Sequence, residues 1–101
     1  MTWHDVGDLG DFPEGVARNI SIENRTVLIV NLGSELYAMD GRCSHMNADL
    51  SRGRLDGHTI ECPMHRAVFD LSTGEVVRNL AARKLRTYPV RFEDGRVQID
   101  V

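Results

Sequence analysis

The sequence is poor in cysteine, proline, aromatic side chains and lysine, and each shortage excludes something. Two cysteines in 101 residues cannot build the multi-bridge scaffold of a small secreted domain. Of the twelve Lys and Arg residues, Lys84 is the only lysine, and with fifteen Asp and Glu the net charge is −3. That balance gives no electrostatic footprint for nucleic acid or a membrane surface. No stretch approaches the ~20 consecutive apolar residues of a membrane span. The first residues, Met1-Thr2-Trp3-His4-Asp5, lack the basic segment and apolar run of a signal peptide, so the expected location is cytoplasmic. There is no sustained helical period, internal repeat, low-complexity tract or linker. Residues 1–101 are expected to form one domain, a size that buries roughly two-thirds of the unfolded surface.

What is present is alternation and turn chemistry. Val27-Leu28-Ile29-Val30 is a short apolar, mostly β-branched run that reads as a buried strand. Val16 to Ile22 reads as a strand before it, turning through Glu23-Asn24-Arg25. Residues 31–34 read as a turn, with Glu35 to Met39 as the returning strand. Near the C-terminus Tyr88, Val90 and Phe92 alternate with polar residues, Asp94-Gly95 supplies a strong hairpin signal, and Val97, Ile99 and Val101 alternate again. Pro89 cannot donate to a ladder, so it implies an edge or a bulge. These features predict an all-β fold, a small antiparallel sandwich or barrel.

The middle of the chain breaks the pattern. Residues 41–56 read as a loop, Asp56-Gly57 starts a short strand through Ile60, and 62–66 reads as a second loop. Ala67 to Leu71 and Glu75 to Val77 flank the turn Ser72-Thr73-Gly74, where Gly74 is expected to supply a positive φ. Two loops separated by one short hairpin can bring their tips together at one end of the domain.

Those loops carry Cys43-Ser44-His45 and Cys62-Pro63-Met64-His65. Each gives one thiolate and one imidazole. A structural disulfide is not expected in a reducing compartment, whereas closely spaced Cys and His suit a metal. An oxidised [2Fe–2S] core carries two positive charges, so two thiolates make the site neutral. One added electron then leaves a single negative charge. With four thiolates the same step would load an already negative, partly buried site, which is costly. Zinc also accepts two cysteines and two histidines, but its sites usually pair like ligands, as C-x2–4-C and H-x3–5-H. A zinc-stabilised interaction module is therefore the rival reading.

With the downstream Phe69-Asp70-Leu71-Ser72-Thr73-Gly74, these motifs resemble the Rieske family over most of the chain. The resemblance implies one [2Fe–2S] cluster per chain, with Cys43 and Cys62 on one iron and His45 and His65 on the other. Rieske proteins of respiratory and photosynthetic complexes carry a second pair of cysteines at positions occupied here by Ala48 and Met64. Where they place a serine and a tyrosine to hydrogen-bond sulfur, this chain has Ala67 and Phe69. Missing hydroxyl donors leave the reduced state less stabilised, so the potential is expected near the low end of the Rieske range, roughly −150 mV rather than +300 mV. This profile is similar to the Rieske-type ferredoxins. It implies a monomeric one-electron carrier, not an enzyme, that passes electrons from a flavin reductase to a terminal aromatic-ring oxygenase. The alternative within electron transfer is a small subunit of another redox enzyme, such as a nitrite-reductase-like complex.

Other residues have simpler readings. Met46, Leu50 and Met64 are either a dry cover over the cluster or ordinary loop packing. Arg66 stands where Rieske proteins often have glycine, and Arg78-Asn79-Leu80-Ala81 replaces a proline-containing segment that commonly shields the cluster. Arg42, Arg52 and Arg54 are nearly balanced by Asp49, Asp56 and Glu61, so they make a weak basic face. His4 and His58 are expected at the surface, Trp3 as a packing residue, and Asp70 as support for the hairpin after the second loop.

Overall fold

In the computed structural model the chain is built almost wholly of antiparallel strands; the structure describes residues 2–33, 35–44, 47–64, 66–78 and 82–101. The strands are β1 (Trp3–Asp8), β2 (Ala17–Ile22), β3 (Arg25–Asn31), β4 (Leu36–Asp40), β5 (Arg54–Asp56), β6 (Thr59–Glu61), β7 (Val68–Asp70), β8 (Val76–Arg78), β9 (Thr87–Tyr88), β10 (Val90–Glu93) and β11 (Arg96–Asp100). They form three sheets, ordered β1-β11-β10, β2-β3-β4-β9 and β5-β6-β7-β8. Among the described residues the helical segments are two 3-10 turns, Leu9–Asp11 and Leu50–Arg52. Among the described residues no helix is long and apolar enough to cross a membrane.

β3 organises the rest. Val27, Leu28, Ile29 and Val30 are each at most 1% exposed. Side chains alternate across a strand, and here both faces are covered. Val27 and Ile29 pack with Phe12, Ala38, Tyr88, Val97 and Ile99. Leu28 and Val30 pack instead with Met39, Ile60, Phe69 and Leu71. A one-residue slip would exchange the two sets, so the register is strongly specified. Burial of each such side chain stabilises the fold by roughly 1.5–3 kcal/mol. The second of these cores also holds Cys43 and Cys62.

The turns follow their sequences. Glu23 and Asn24 (φ 51° and 63°) join β2 to β3, and Asp94 and Gly95 (φ 53° and 78°) join β10 to β11. Paired positive φ values match the twist of a tight hairpin. Pro89 falls between β9 and β10, each at the edge of its sheet, as its missing N–H requires. Its carbonyl accepts from the Asp100 amide at 3.0 Å.

Three expectations are corrected. β1 was not anticipated, because its sequence is polar and its partner β11 lies at the other end of the chain. The loop read as reaching residue 56 ends earlier, since Arg54–Asp56 pairs with Thr59–Glu61 as β5 and β6. Phe92 is 53% exposed rather than buried: β10 is an edge strand, and only the near half of its apolar face meets the core.

Candidate metal centre

The strands deliver two loops of like construction. Loop 1 (residues 41–53) joins β4 to β5, and loop 2 (residues 62–67) joins β6 to β7. In each, a cysteine amide donates to the carbonyl of the alanine five residues on: Cys43 to Ala48 at 2.9 Å, and Cys62 to Ala67 at 2.7 Å. In each, the residue before that alanine is left-handed, Asn47 and Arg66 both at φ 54°. The hydrogen bond closes the loop base and the left-handed residue reverses the chain. Asparagine tolerates this conformation; a long side chain such as arginine does so at a cost. The same geometry explains why glycine suits the position of Arg66.

The closure turns the cysteines inward. Cys43 is 2% exposed and Cys62 is fully buried, and neither forms a disulfide. Burial pushes the Cys62 thiol up to about 11; the Met64 amide, donating to its sulfur, opposes this, and the neighbouring Cys43 thiol reinforces it. The Cys62 thiol therefore keeps its proton at neutral pH, because ionising it places uncompensated charge in an apolar core. A bound cationic core removes that obstacle, since metal binding displaces thiol protons. The donor set fits a metal group and has no other evident use for a pair of buried thiols.

Loop 1 is braced from the side. Asn19 on β2 donates through Nδ2 to the Gly41 carbonyl at 3.1 Å and to Asp49 Oδ1 at 2.6 Å. The same carboxylate oxygen accepts from the Ser51 amide at 2.9 Å and hydroxyl at 2.6 Å, capping the 3-10 turn that buries Leu50. The Ser51 hydroxyl, its amide and the nearby Arg42 and Arg52 outweigh burial and hold the Asp49 carboxyl below its ordinary range. Ser44 reaches further. Its hydroxyl donates to the Arg83 carbonyl at 2.7 Å and accepts from the Arg83 amide at 2.8 Å.

Loop 2 is held by its own sheet. β6 and β7 pair directly below it. Asp70 Oδ1 accepts from the Ser72 hydroxyl and amide at 2.6 and 2.8 Å, which lowers its pKa in the same way as at Asp49. Asp49-Leu50-Ser51 and Asp70-Leu71-Ser72 are thus one device used twice, an aspartate turn (Asx turn) that drives a leucine into the core. After that turn Gly74, at φ 77° as expected, exchanges backbone contacts with Leu85, whose amide donates to its carbonyl at 2.8 Å.

Of the four ligands read from the sequence, the structure brings Cys43 and Cys62 together; His45 and His65 lie outside the described residues, as do Met46 and residues 79–81. Among the described residues no three His, Cys, Asp or Glu side chains converge. Leu50 is buried, whereas Met64 is 49% exposed. His58 is exposed, edge-on to Tyr37, and half-buried His4 lies 3.8 Å from Glu23. Trp3 packs under the Arg91 guanidinium at 4.1 Å. Sequence reasoning missed Asn19, Ser44 and the Met64 amide. The repeated Asp-Leu-Ser was available as a signal for Asp49; Asn19 had none, being thirty residues from its partner.

Comparison with known proteins agrees with this geometry. The family model described as Rieske [2Fe-2S] domain matches residues 2–89. The 3-phenylpropionate/cinnamic acid dioxygenase ferredoxin subunit of Escherichia coli (strain K12) is 44% identical over 94 residues, 92% of this chain and 88% of that one. The ferredoxin component of the naphthalene 1,2-dioxygenase system of Pseudomonas putida is 35% identical over 101 residues, covering 100% and 97%. Among solved structures, a chain in the complex of reduced oxygenase and oxidised ferredoxin in carbazole 1,9a-dioxygenase superposes with a TM-score of 0.89 at 30% identity, covering 96% of this chain and 91% of that one.

Proposed function

The chain belongs to the Rieske [2Fe–2S] domain family, and from that membership we propose that it is a one-electron carrier serving a terminal aromatic-ring oxygenase. When bound, the [2Fe–2S] cluster accepts and returns one electron. Cys43, Cys62, His45 and His65 would hold that cluster, the cysteines at one iron and the histidines at the other. The buried thiols of loops 1 and 2 are the observation that carries this reading. The chain's own part is to fix the two sulfurs, through the paired Cys-to-Ala closures, and to keep water from them with Leu50, Ile60, Phe69 and Leu85. A rigid apolar setting of this kind limits reorganisation when charge changes.

The carrier takes its electron from a flavin reductase. It acts as a monomer in the cytoplasm, with residues 1–101 as one domain, and does no substrate chemistry itself. Relatives named as ferredoxin components of dioxygenase systems support the oxygenase assignment.

The test is the spectrum of the purified protein. A red-brown absorption, a paramagnetic signal on reduction, and two irons with two acid-labile sulfides per chain are expected for a [2Fe–2S] site. Cys62→Ser and His65→Ala should each abolish them. A colourless protein holding one zinc per chain would overturn the proposal in favour of a structural zinc module. Tight co-elution with a large redox enzyme on size exclusion would replace the free carrier with a fixed subunit.

A further inference from the structure

Loop 1 forms one wall of a surface groove of about 790 Å³. Four cationic side chains line it: Arg25 at the start of β3, Arg42 in loop 1, and Arg83 and Lys84 in the strap of residues 82–86. They come from three separated stretches of sequence. One carboxylate, Asp40, shares the groove, and its oxygens already accept from the Tyr88 hydroxyl at 2.6 Å and the Arg86 amide at 3.1 Å. Cys43 itself lies in the groove wall.

The fold holds these charges in place. Ala82 and Leu85 are buried, at 8% and 4% exposure. The strap backbone is fastened to Ser44 on one side and Gly74 on the other. Arg83 and Lys84 are exposed between those anchors. Some arginines elsewhere meet carboxylates: Arg96 meets Asp5 at 2.8 Å and Asp8 at 2.6 Å, and Arg91 meets Glu93 at 3.3 Å. Among the described residues none of the four groove cations makes such a pair. Asp40 in the groove and Asp49 near Arg42 offset only part of this charge; the remaining like charges repel one another, so the arrangement favours an external anion.

We propose that this groove docks a carboxylate-rich surface of a protein redox partner and holds it against loop 1, an inference that rests on loop 1 belonging to the redox site. The rest of the molecule argues against an extended polyanion such as nucleic acid. The chain as a whole carries −3, so anything reaching beyond the groove meets repulsion. A compact acidic patch feels chiefly the charges within a screening length, ~10 Å at 0.1 M salt. Complementary charge of this kind steers encounter and fixes orientation more than it adds affinity.

The test uses the intact holoprotein and a fluorescent hexaglutamate peptide followed by anisotropy at low salt. The wild type should bind, and the double variant Arg83→Glu with Lys84→Glu should bind at least roughly tenfold more weakly. The charge-matched control Arg54→Glu with Arg91→Glu should stay within about twofold of wild type, since exposed charges away from the groove contribute little. A second measurement is oxidation of the reduced protein, one electron at a time, by ferricyanide or by hexaamminecobalt(III). The groove variant should slow the anionic oxidant and speed the cationic one; damage to the fold would move both rates the same way. No peptide binding, equal loss in the two double variants, or equally effective displacement by inorganic phosphate would overturn the docking proposal. The anisotropy of the peptide reports binding independently of the cluster's own absorption. Absent [2Fe–2S] absorption therefore removes the redox assignment, whereas intact absorption without groove-dependent binding removes the docking proposal alone.

Discussion

Loop 1 depends on distant parts of the chain, and loop 2 depends on its neighbours. Asn19 crosses from β2 to hold Gly41 and Asp49, and Ser44 crosses thirty-nine residues of sequence to hold Arg83. Loop 2 needs no such help, because β6 and β7 pair immediately beneath it and Asp70 closes a turn on its own next two residues. The closures of the two loops are the same, yet one is fixed by long-range polar contacts and the other by local backbone pairing. Local pairing costs less chain entropy to assemble, so loop 2 is the pre-formed half of the centre and loop 1 the half that the tertiary fold completes.

The strap of residues 82–86 is fastened to loop 1 at Ser44 and to the turn after β7 at Gly74, and breaking it should have the largest effect. A Cβ on Gly74 would collide with the Leu85 carbonyl oxygen, and φ 77° is strained for any side chain. Gly74→Ala should therefore destabilise the protein by roughly 3 kcal/mol, measured by urea denaturation of the holoprotein. A wild-type midpoint would mean that the strap moves freely and does not link the loops.

Asp49→Ala comes next, at about 2 kcal/mol, because the carboxylate anchors a turn and reaches a second strand. Asp70→Ala, confined to its own turn, should cost nearer 1 kcal/mol. The pH dependence has a definite sign. The Asp49 carboxyl titrates below its ordinary 3.8 in the folded chain, so the folded state binds that proton more weakly than the unfolded one. Its stabilisation is complete above that ordinary value and fades as the pH drops through the lower folded value. The gap between wild type and Asp49→Ala should thus be full at neutral pH and narrow below about pH 4. A gap that stays constant into acid would show that the carboxylate charge has no part in holding loop 1.

Ser44→Ala should cost about 1 kcal/mol, with its effect confined to the strap. Hydrogen exchange of the Arg83 amide, which donates to the Ser44 hydroxyl at 2.8 Å, should accelerate while the β6–β7 amides stay protected. Uniform acceleration would contradict the division between the two loops.

The smallest effect compares the two left-handed residues. Arg66→Gly should stabilise loop 2 by roughly 0.5–1 kcal/mol, relieving a conformation unfavourable for arginine. Asn47→Gly should change little, because asparagine already accepts positive φ. Equal gains at both positions would mean that side-chain type does not matter at this reversal.

Much of this molecule is legible without coordinates. A continuous apolar run marks β3, apolar alternation marks β11, glycine and aspartate mark the tight turns, and Cys-x-His with Cys-x-x-His marks the two cysteine-bearing loops. Each signal is local, set by the side-chain period of a strand or by the backbone preference of one residue. β1 was hidden because its sequence is polar: its strand character comes from pairing with β11 and from Arg96 held between Asp5 and Asp8. The basic groove was hidden for a related reason. In sequence Arg42, Arg52 and Arg54 sit among acidic neighbours and nearly cancel; in space Arg42 is gathered with Arg25, Arg83 and Lys84. The cysteine and histidine motifs, the turns and the buried strand were therefore determined by sequence alone. The union of the two thiols, the bracing of loop 1 and the cationic wall beside it were decided only by tertiary structure, because they depend on distances between residues that the chain keeps far apart.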